Sequence, residues 1–164
     1  MYKSQADAVK EWLQTYQLSE KHINLQLEKL RTLQAQMRSV GAQQLSDMPR
    51  PPSAPKDRMA DYVAKVEALE QDIDEETKQL EECRETILEI TGELKRVDAC
   101  KLIRLRYLRG YEWSEITEAL YGSDKPWTEK EQTAYKRRTY RLHDSALAEL
   151  AKLWKKGSAS DRNR

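Results

Sequence analysis

Two runs of apolar residues at alternating steps of three and four, one on each side of a proline cluster, constrain this chain more than any other feature. Val9, Leu13, Tyr16, Ile23, Leu27, Leu30 and Met37, with Glu20 and Gln34 in register, form the first run. Met59, Tyr62, Val66, Leu69, Ile73, Leu80, Cys83, Ile87, Ile90, Leu94 and Val97, with Glu76 in register, form the second. Such steps hold side chains on one stripe of an α-helix and repeat as the seam of a coiled coil does. Ser4 with Asp7 predicts a capping box at the start of the first helix, and Asp57 is placed to cap the second, expected from about residue 58 to about residue 96 with Gly92 as its weak spot. Between them, residues 41–56 hold Pro49, Pro51, Pro52 and Pro55, whose rings remove donors and restrict their neighbours, so a linker is expected there. The two seams can then fold back as an antiparallel pair.

With 38% hydrophobic and 35% charged residues and no Phe, the chain is too polar for one compact globule yet too regular for disorder. Long helices with narrow seams satisfy both facts. No run of apolar residues reaches membrane-spanning length and no charged-then-apolar leader opens the chain, which predicts no membrane partner and a cytoplasmic protein, in the host cytoplasm if phage-encoded. Cys83 and Cys100 lack zinc spacing, having only His22 and His143 as other soft ligands; two reduced thiols and no metal or cofactor are expected. Phosphate-loop, dinucleotide and metalloprotease motifs are absent, and His143 has no nucleophile in triad arrangement, so no enzyme is expected.

Net charge is +1 overall but segregated: residues 1–56 carry +3, residues 57–96 carry −7 and residues 97–164 carry +5. Only the last block suits an anionic partner, and the acidic middle would project away from nucleic acid or meet a basic surface. Within the basic block, Tyr135-Lys136-Arg137-Arg138-Thr139-Tyr140-Arg141-Leu142-His143 precedes Ala146, Leu147, Leu150, Leu153 and Trp154 at helical spacing, so one helix joins an apolar face to a cationic one. Upstream, Leu102, Ile103, Leu105 and Leu108, then Ile116, Ala119 and Leu120, mark two shorter helices broken at Arg109-Gly110-Tyr111, the order of a helix-turn-helix with a basic third helix. Thr128 and Glu131 form a capping box that starts this helix near residue 129.

The residues Leu105-Arg106-Tyr107, Gly110, Trp113, Glu115-Ile116 and Leu120-Tyr121-Gly122, followed by Arg137-Arg138-Thr139-Tyr140-Arg141-Leu142-His143 and Ala146-Leu147 with Leu150, resemble the helix-turn-helix of sigma-factor region four. More closely, they resemble phage late-transcription regulators of the ArpU and RinA type, which also begin with a long charged helix, a proline-containing break and a second helix. The resemblance implies a double-stranded DNA-binding activator of phage late genes, with host RNA polymerase as a further partner. It puts Lys136, Arg137 and Arg141 where base edges and nearby phosphates are met, with Arg138 and Thr139 between them. Independently, Arg137 and Arg141 lie one turn apart, and the Arg fork matches guanine O6 and N7. Lys155 and Lys156 lie beyond the reading turns and would touch phosphate. Three departures stand out: residues 122–132 lengthen the turn between second and third helices, Glu112 stands where Ser or Thr usually caps, and Thr117 stands where a small Ala usually sits.

The sequence therefore predicts an all-α chain: a coiled-coil hairpin over residues 1–97, a helix-turn-helix domain over 98–156 that reads the major groove with the helix around 132–154, and a disordered tail over 157–164. Homo-oligomerisation through the coiled coil is expected. A phage DNA-packaging recognition protein like a terminase small subunit, and a coiled-coil adaptor without nucleic acid, are the alternative functions. A fragment from about Arg96 to Lys156 is expected to fold and bind DNA by itself.

Overall fold

The computed structural model describes residues 4–43 and 55–161, with side chains at 4–42 and 58–155. It is all-α: α1 (Gln5–Gln43), α2 (Pro55–Gly92), α3 (Val97–Ile103), continued by a π-helical turn (Arg104–Leu108), α4 (Trp113–Tyr121) and α5 (Glu129–Asp161). No strand occurs among the described residues, and none of their helices is long and apolar enough to cross a membrane.

The expected capping box opens α1, since Ser4 Oγ accepts from the Asp7 amide and Asp7 Oδ2 accepts from the Ser4 amide, both at 3.2 Å. Helix reaches further into the proline region than the sequence suggests. α1 runs to Gln43, and α2 starts at Pro55, whose missing N–H costs nothing at a first helical position. The rest of the linker, and the Asp57 side chain expected to cap α2, lie outside the described residues. At the other end the expected disordered tail is corrected in part: α5 continues helical through Asp161, because no proline follows the core face and a single Gly157 only weakens a helix. Residues 162–164 lie outside the description.

Packing divides the chain into two compact units, one of residues 19–81 and the other of the stretch up to Leu18 together with Glu82 onward. In the first unit α1 and α2 pair antiparallel through the seams. Ile23, Val66, Leu69 and Ile73 are buried, and Leu27, Leu30, Met37, Met59, Tyr62 and Leu80 are half-buried along the same stripe. His22 Nδ1 and Glu76 Oε2 meet at 2.9 Å, and Gln34 Nε2 donates to Glu70 at 3.5 Å. Met59 lies opposite Gly41, its Cε 3.6 Å from where a Cβ would stand.

The second unit takes up the beginning of α1 and the end of α2, so a domain boundary at residue 97 is not where the packing divides. Val9, Leu13 and Tyr16 of α1 are buried there, Leu13 completely. Ile87, Thr91 and Leu94 join them with Leu102, Ile103, Leu105, Tyr107, Ile116, Leu142, Ala146, Leu147 and Leu150. Trp12 meets Trp154 edge-on at 4.6 Å, and Gln17 Nε2 donates to the Arg106 carbonyl at 2.7 Å. Arg104 closes the end of α2 by donating to the Leu88 carbonyl at 2.8 Å and to Thr91 Oγ1 at 2.9 Å, a cation at the end of the helix where its dipole favours positive charge. Because α2 stops at Gly92, Val97 leaves the seam in which its spacing placed it: it begins α3 and is 85% exposed.

Candidate nucleic-acid interface

Three helices build the candidate site, and backbone geometry fixes how they follow each other. Gly110, at φ 70°, turns the chain from the π-helical turn into α4, a conformation open to glycine without steric cost. The Tyr111 amide donates to the Leu105 carbonyl at 3.0 Å, and Arg106 Nη1 donates to the Tyr111 carbonyl at 2.9 Å. Glu112 does the capping that Ser or Thr usually does: its side chain accepts from the Glu115 amide, and the Glu115 carboxylate accepts from the Glu112 amide at 2.7 Å. At the far end of α4, a Cβ on Gly122 would stand 2.4 Å from the Glu118 carbonyl oxygen, so only glycine fits this turn.

α4 then crosses behind α5. Thr117 Oγ1 and Thr139 Oγ1 meet at 2.9 Å, both residues being buried. Thr117, where a small Ala would be usual, therefore makes the crossing through a hydroxyl pair rather than through bare backbone approach. The lengthened turn packs back on the same pair of helices. Trp127 and Tyr135 have ring centroids 5.0 Å apart, and Tyr135 stacks on Tyr121 at 5.3 Å with planes 19° apart. The Thr128–Glu131 box starts α5 as expected, with the Thr128 amide donating to Glu131 Oε2 at 2.9 Å. That amide and the Thr128 hydroxyl hold the Glu131 carboxyl below its ordinary pKa.

On α5 the sequence-predicted residues separate by face. Lys136, Arg137 and Arg141 are exposed, and among the described residues no hydrogen bond or ion pair ties them down. Arg137 and Arg141 share the outward stripe with exposed Lys130 and Ala134, and Asp144 ends that basic stripe. Arg138 is exposed to one side, its guanidinium 5.8 Å from the Tyr121 ring centroid. Thr139 is a correction. It is 1% exposed, its hydroxyl held by Thr117 and by the Tyr135 carbonyl at 3.0 Å, so it positions α5 and cannot meet DNA. Lys155 is exposed but lies roughly 21 Å along the helix from Arg141 at the standard rise, and the Lys156 side chain lies outside the described residues.

Three other cations of the domain are engaged inside it, whereas Arg109, Lys125, Lys130 and Lys152 are exposed as Lys136 is. Arg104 closes α2, Lys101 Nζ donates to the Ala119 carbonyl at 2.8 Å, and Arg106 lies over Trp113 at 4.8 Å besides bonding Tyr111. This separates cations that build the domain from cations that its surface presents, a distinction sequence spacing could not make.

Two clefts flank α5. One of about 320 Å³ is lined by Ser114, Thr117, Trp127, Gln132, Thr133 and Lys136. The other, of about 290 Å³, is lined by Ala134, Tyr135, Arg137, Arg138 and Arg141. Sequence reasoning missed Ser114, Gln132 and Thr133, because only the crossing of α4 and α5 brings them to Lys136.

His143 points inward. Its Nε2 is 2.9 Å from the Tyr107 hydroxyl, Trp113 packs edge-on at 4.9 Å, and the side chain is nearly fully buried. Desolvation lowers its pKa below the ordinary value against the opposing pull of Asp144, while burial pushes Tyr107 up to about 12. The nearest acid to Nδ1 is the exposed Asp144 at 3.7 Å, and no nucleophile joins the pair. No cluster of three or more His, Cys, Asp or Glu that could hold a metal occurs among the described residues. Cys83 and Cys100 are free thiols, with the Cys83 pKa raised by burial. The chain matches no family model, no curated protein and no solved structure.

Proposed function

We propose that this chain is a sequence-specific duplex DNA-binding transcription regulator, an activator of phage late genes as the motif it resembles implies, with α5 lying in the major groove. The observation that carries the reading is the outer surface of α5, where Lys136, Arg137 and Arg141 are exposed without hydrogen-bond or ion-pair partners among the described residues, while Lys101, Arg104 and Arg106 of the preceding helices are engaged inside the domain. Leaving three cations unpaired side by side costs mutual repulsion, which a polyanion would relieve. A helix about 10–12 Å across matches a major groove about 12 Å wide, and Arg forks are suited to guanine edges within it.

The paired helices serve partners in this reading. Leu25 and Val63 are exposed on them, 63% and 39%, and are the apolar positions offered to a second copy. The acidic outer face of α2 keeps that part of the chain off the duplex and is left for a basic surface of host RNA polymerase. Selection of bound duplexes from a random pool tests the proposal: a defined site recovered reproducibly supports it, and recovery of no preferred sequence overturns it.

A further inference from the structure

On the reading of α5 as a groove-bound helix, we infer that the two clefts beside it each take the phosphate backbone of a different DNA strand, Lys136 meeting one strand and Arg138 the other.

Lys136 and Arg138 are two residues apart, hence about 200° apart around a helix of 3.6 residues per turn. They therefore cannot serve one surface. The crossing of α4 behind α5 shows where each goes. Near its first turn α4 contributes Ser114 to the cleft that Lys136 lines, together with Gln132 and Thr133. Tyr121, the last residue of α4, lies under the guanidinium of Arg138 on the other flank. Thr117 and Thr139 mark the crossing point between the flanks.

Each flank pairs a cation with groups suited to a phosphodiester. On the Lys136 side, Ser114 and Gln132 supply a hydroxyl and an amide donor beside a point charge, while the Thr133 hydroxyl donates to the Glu129 carbonyl and can only accept. On the Arg138 side, Tyr121 supports the guanidinium from beneath through its ring face, leaving the planar fork free for phosphate oxygens. Tyr121 is itself held by stacking on Tyr135, which Trp127 braces in turn. The lengthened turn thus reaches both flanks, Trp127 lining the Lys136 cleft while bracing Tyr135 on the side of Arg138, which gives it a role that a tight turn would lack. A major groove is bordered by phosphates of opposite strands, so a helix seated in it with one cation on each flank meets both. Arg137 and Arg141 line the outward rim of the Arg138 cleft and lie between Lys136 and Arg138 around the helix, so they are left to face the bases while Arg138 meets the backbone.

The test scans neutral methylphosphonate substitutions along each strand of the selected duplex, binding the full-length chain and its Lys136→Ala, Lys136→Gln and Arg138→Ala variants. For the parent, sensitive positions are expected on both strands. Lys136→Ala and Lys136→Gln should abolish sensitivity on one strand and Arg138→Ala on the other, each reducing the salt slope by about one unit and leaving base preference unchanged. Tyr121→Leu, which removes the ring face but keeps bulk, should act like a partial Arg138→Ala and on the same strand. Loss on the same strand for both cations, an altered base preference, or unchanged sensitivity for either overturns the clamp while duplex binding itself stands. If the parent selects no duplex, the DNA-binding reading fails and the clamp with it.

Discussion

The hydroxyls of Thr117 and Thr139 meet at 2.9 Å where α4 crosses α5, and each also lies within hydrogen-bond distance of a carbonyl one turn back on its own helix, Trp113 at 2.7 Å and Tyr135 at 3.0 Å. With one proton apiece, one hydroxyl donates to the other while the accepting one donates to its own carbonyl. The contact fixes the angle at which α5 is presented. Thr117→Val and Thr139→Val keep shape and remove one hydroxyl each. Because the remaining threonine retains its own carbonyl, each single change should cost only about 1 kcal/mol, and the double variant clearly less than the sum. A double-mutant cycle by urea denaturation measures this coupling.

Buried His143 should make stability fall in mild acid. Its folded pKa lies below the ordinary 6.5, held down first by desolvation, with Lys10 and Arg106 adding to the effect and Asp144 opposing it. The unfolded chain therefore binds the proton first. This contribution is complete above about pH 6.5 and is lost progressively as pH falls toward the folded pKa. Urea midpoints at about pH 7.5 and about pH 5.5 should differ more for the parent than for His143→Gln.

Contrary to the expectation from the sequence, a fragment from about Arg96 to Lys156 should not fold cooperatively. It lacks Val9, Leu13 and Tyr16, and also Ile87 and Thr91, all buried in the same unit as α3, α4 and α5. In the full chain, Leu13→Ala should cost about 2–5 kcal/mol by emptying a fully buried site. Circular dichroism of the fragment and urea denaturation of the variant check the two statements.

The paired helices answer to their own seam. Leu69 is 6% exposed, so Leu69→Lys buries an unpaired cation and should cost several kcal/mol in residues 19–81. Hydrogen exchange resolved by segment should show protection lost there.

What the sequence disclosed was mostly local. The steps of three and four picked out Val9, Leu13, Val66, Leu69, Ile73 and Ile87 as inward, and Ser4 with Asp7 and Thr128 with Glu131 announced the starts of α1 and α5. Periodicity names a face without naming what covers it, so it could not assign Leu13 and Trp12 to the unit that contains Trp154. Val97 was misplaced because its spacing continues the seam past the point where α2 ends at Gly92. Thr139 was misassigned for a related reason: it lies inside a basic run whose cations are all exposed, and only the crossing with Thr117 shows that its own position faces in. The clefts were beyond reach, since they join residues of α4 and α5 through tertiary packing alone.

The assignment of reading to α5 is tested most directly by measuring affinity and base preference of Arg137→Ala and Arg141→Ala on the duplex selected by the parent. Both side chains are exposed and unpartnered among the described residues, so fold stability should be unchanged. Each variant should lose roughly 1–3 kcal/mol of specific binding and relax preference at individual base pairs. Binding as tight and as selective as the parent's in both variants would contradict the account.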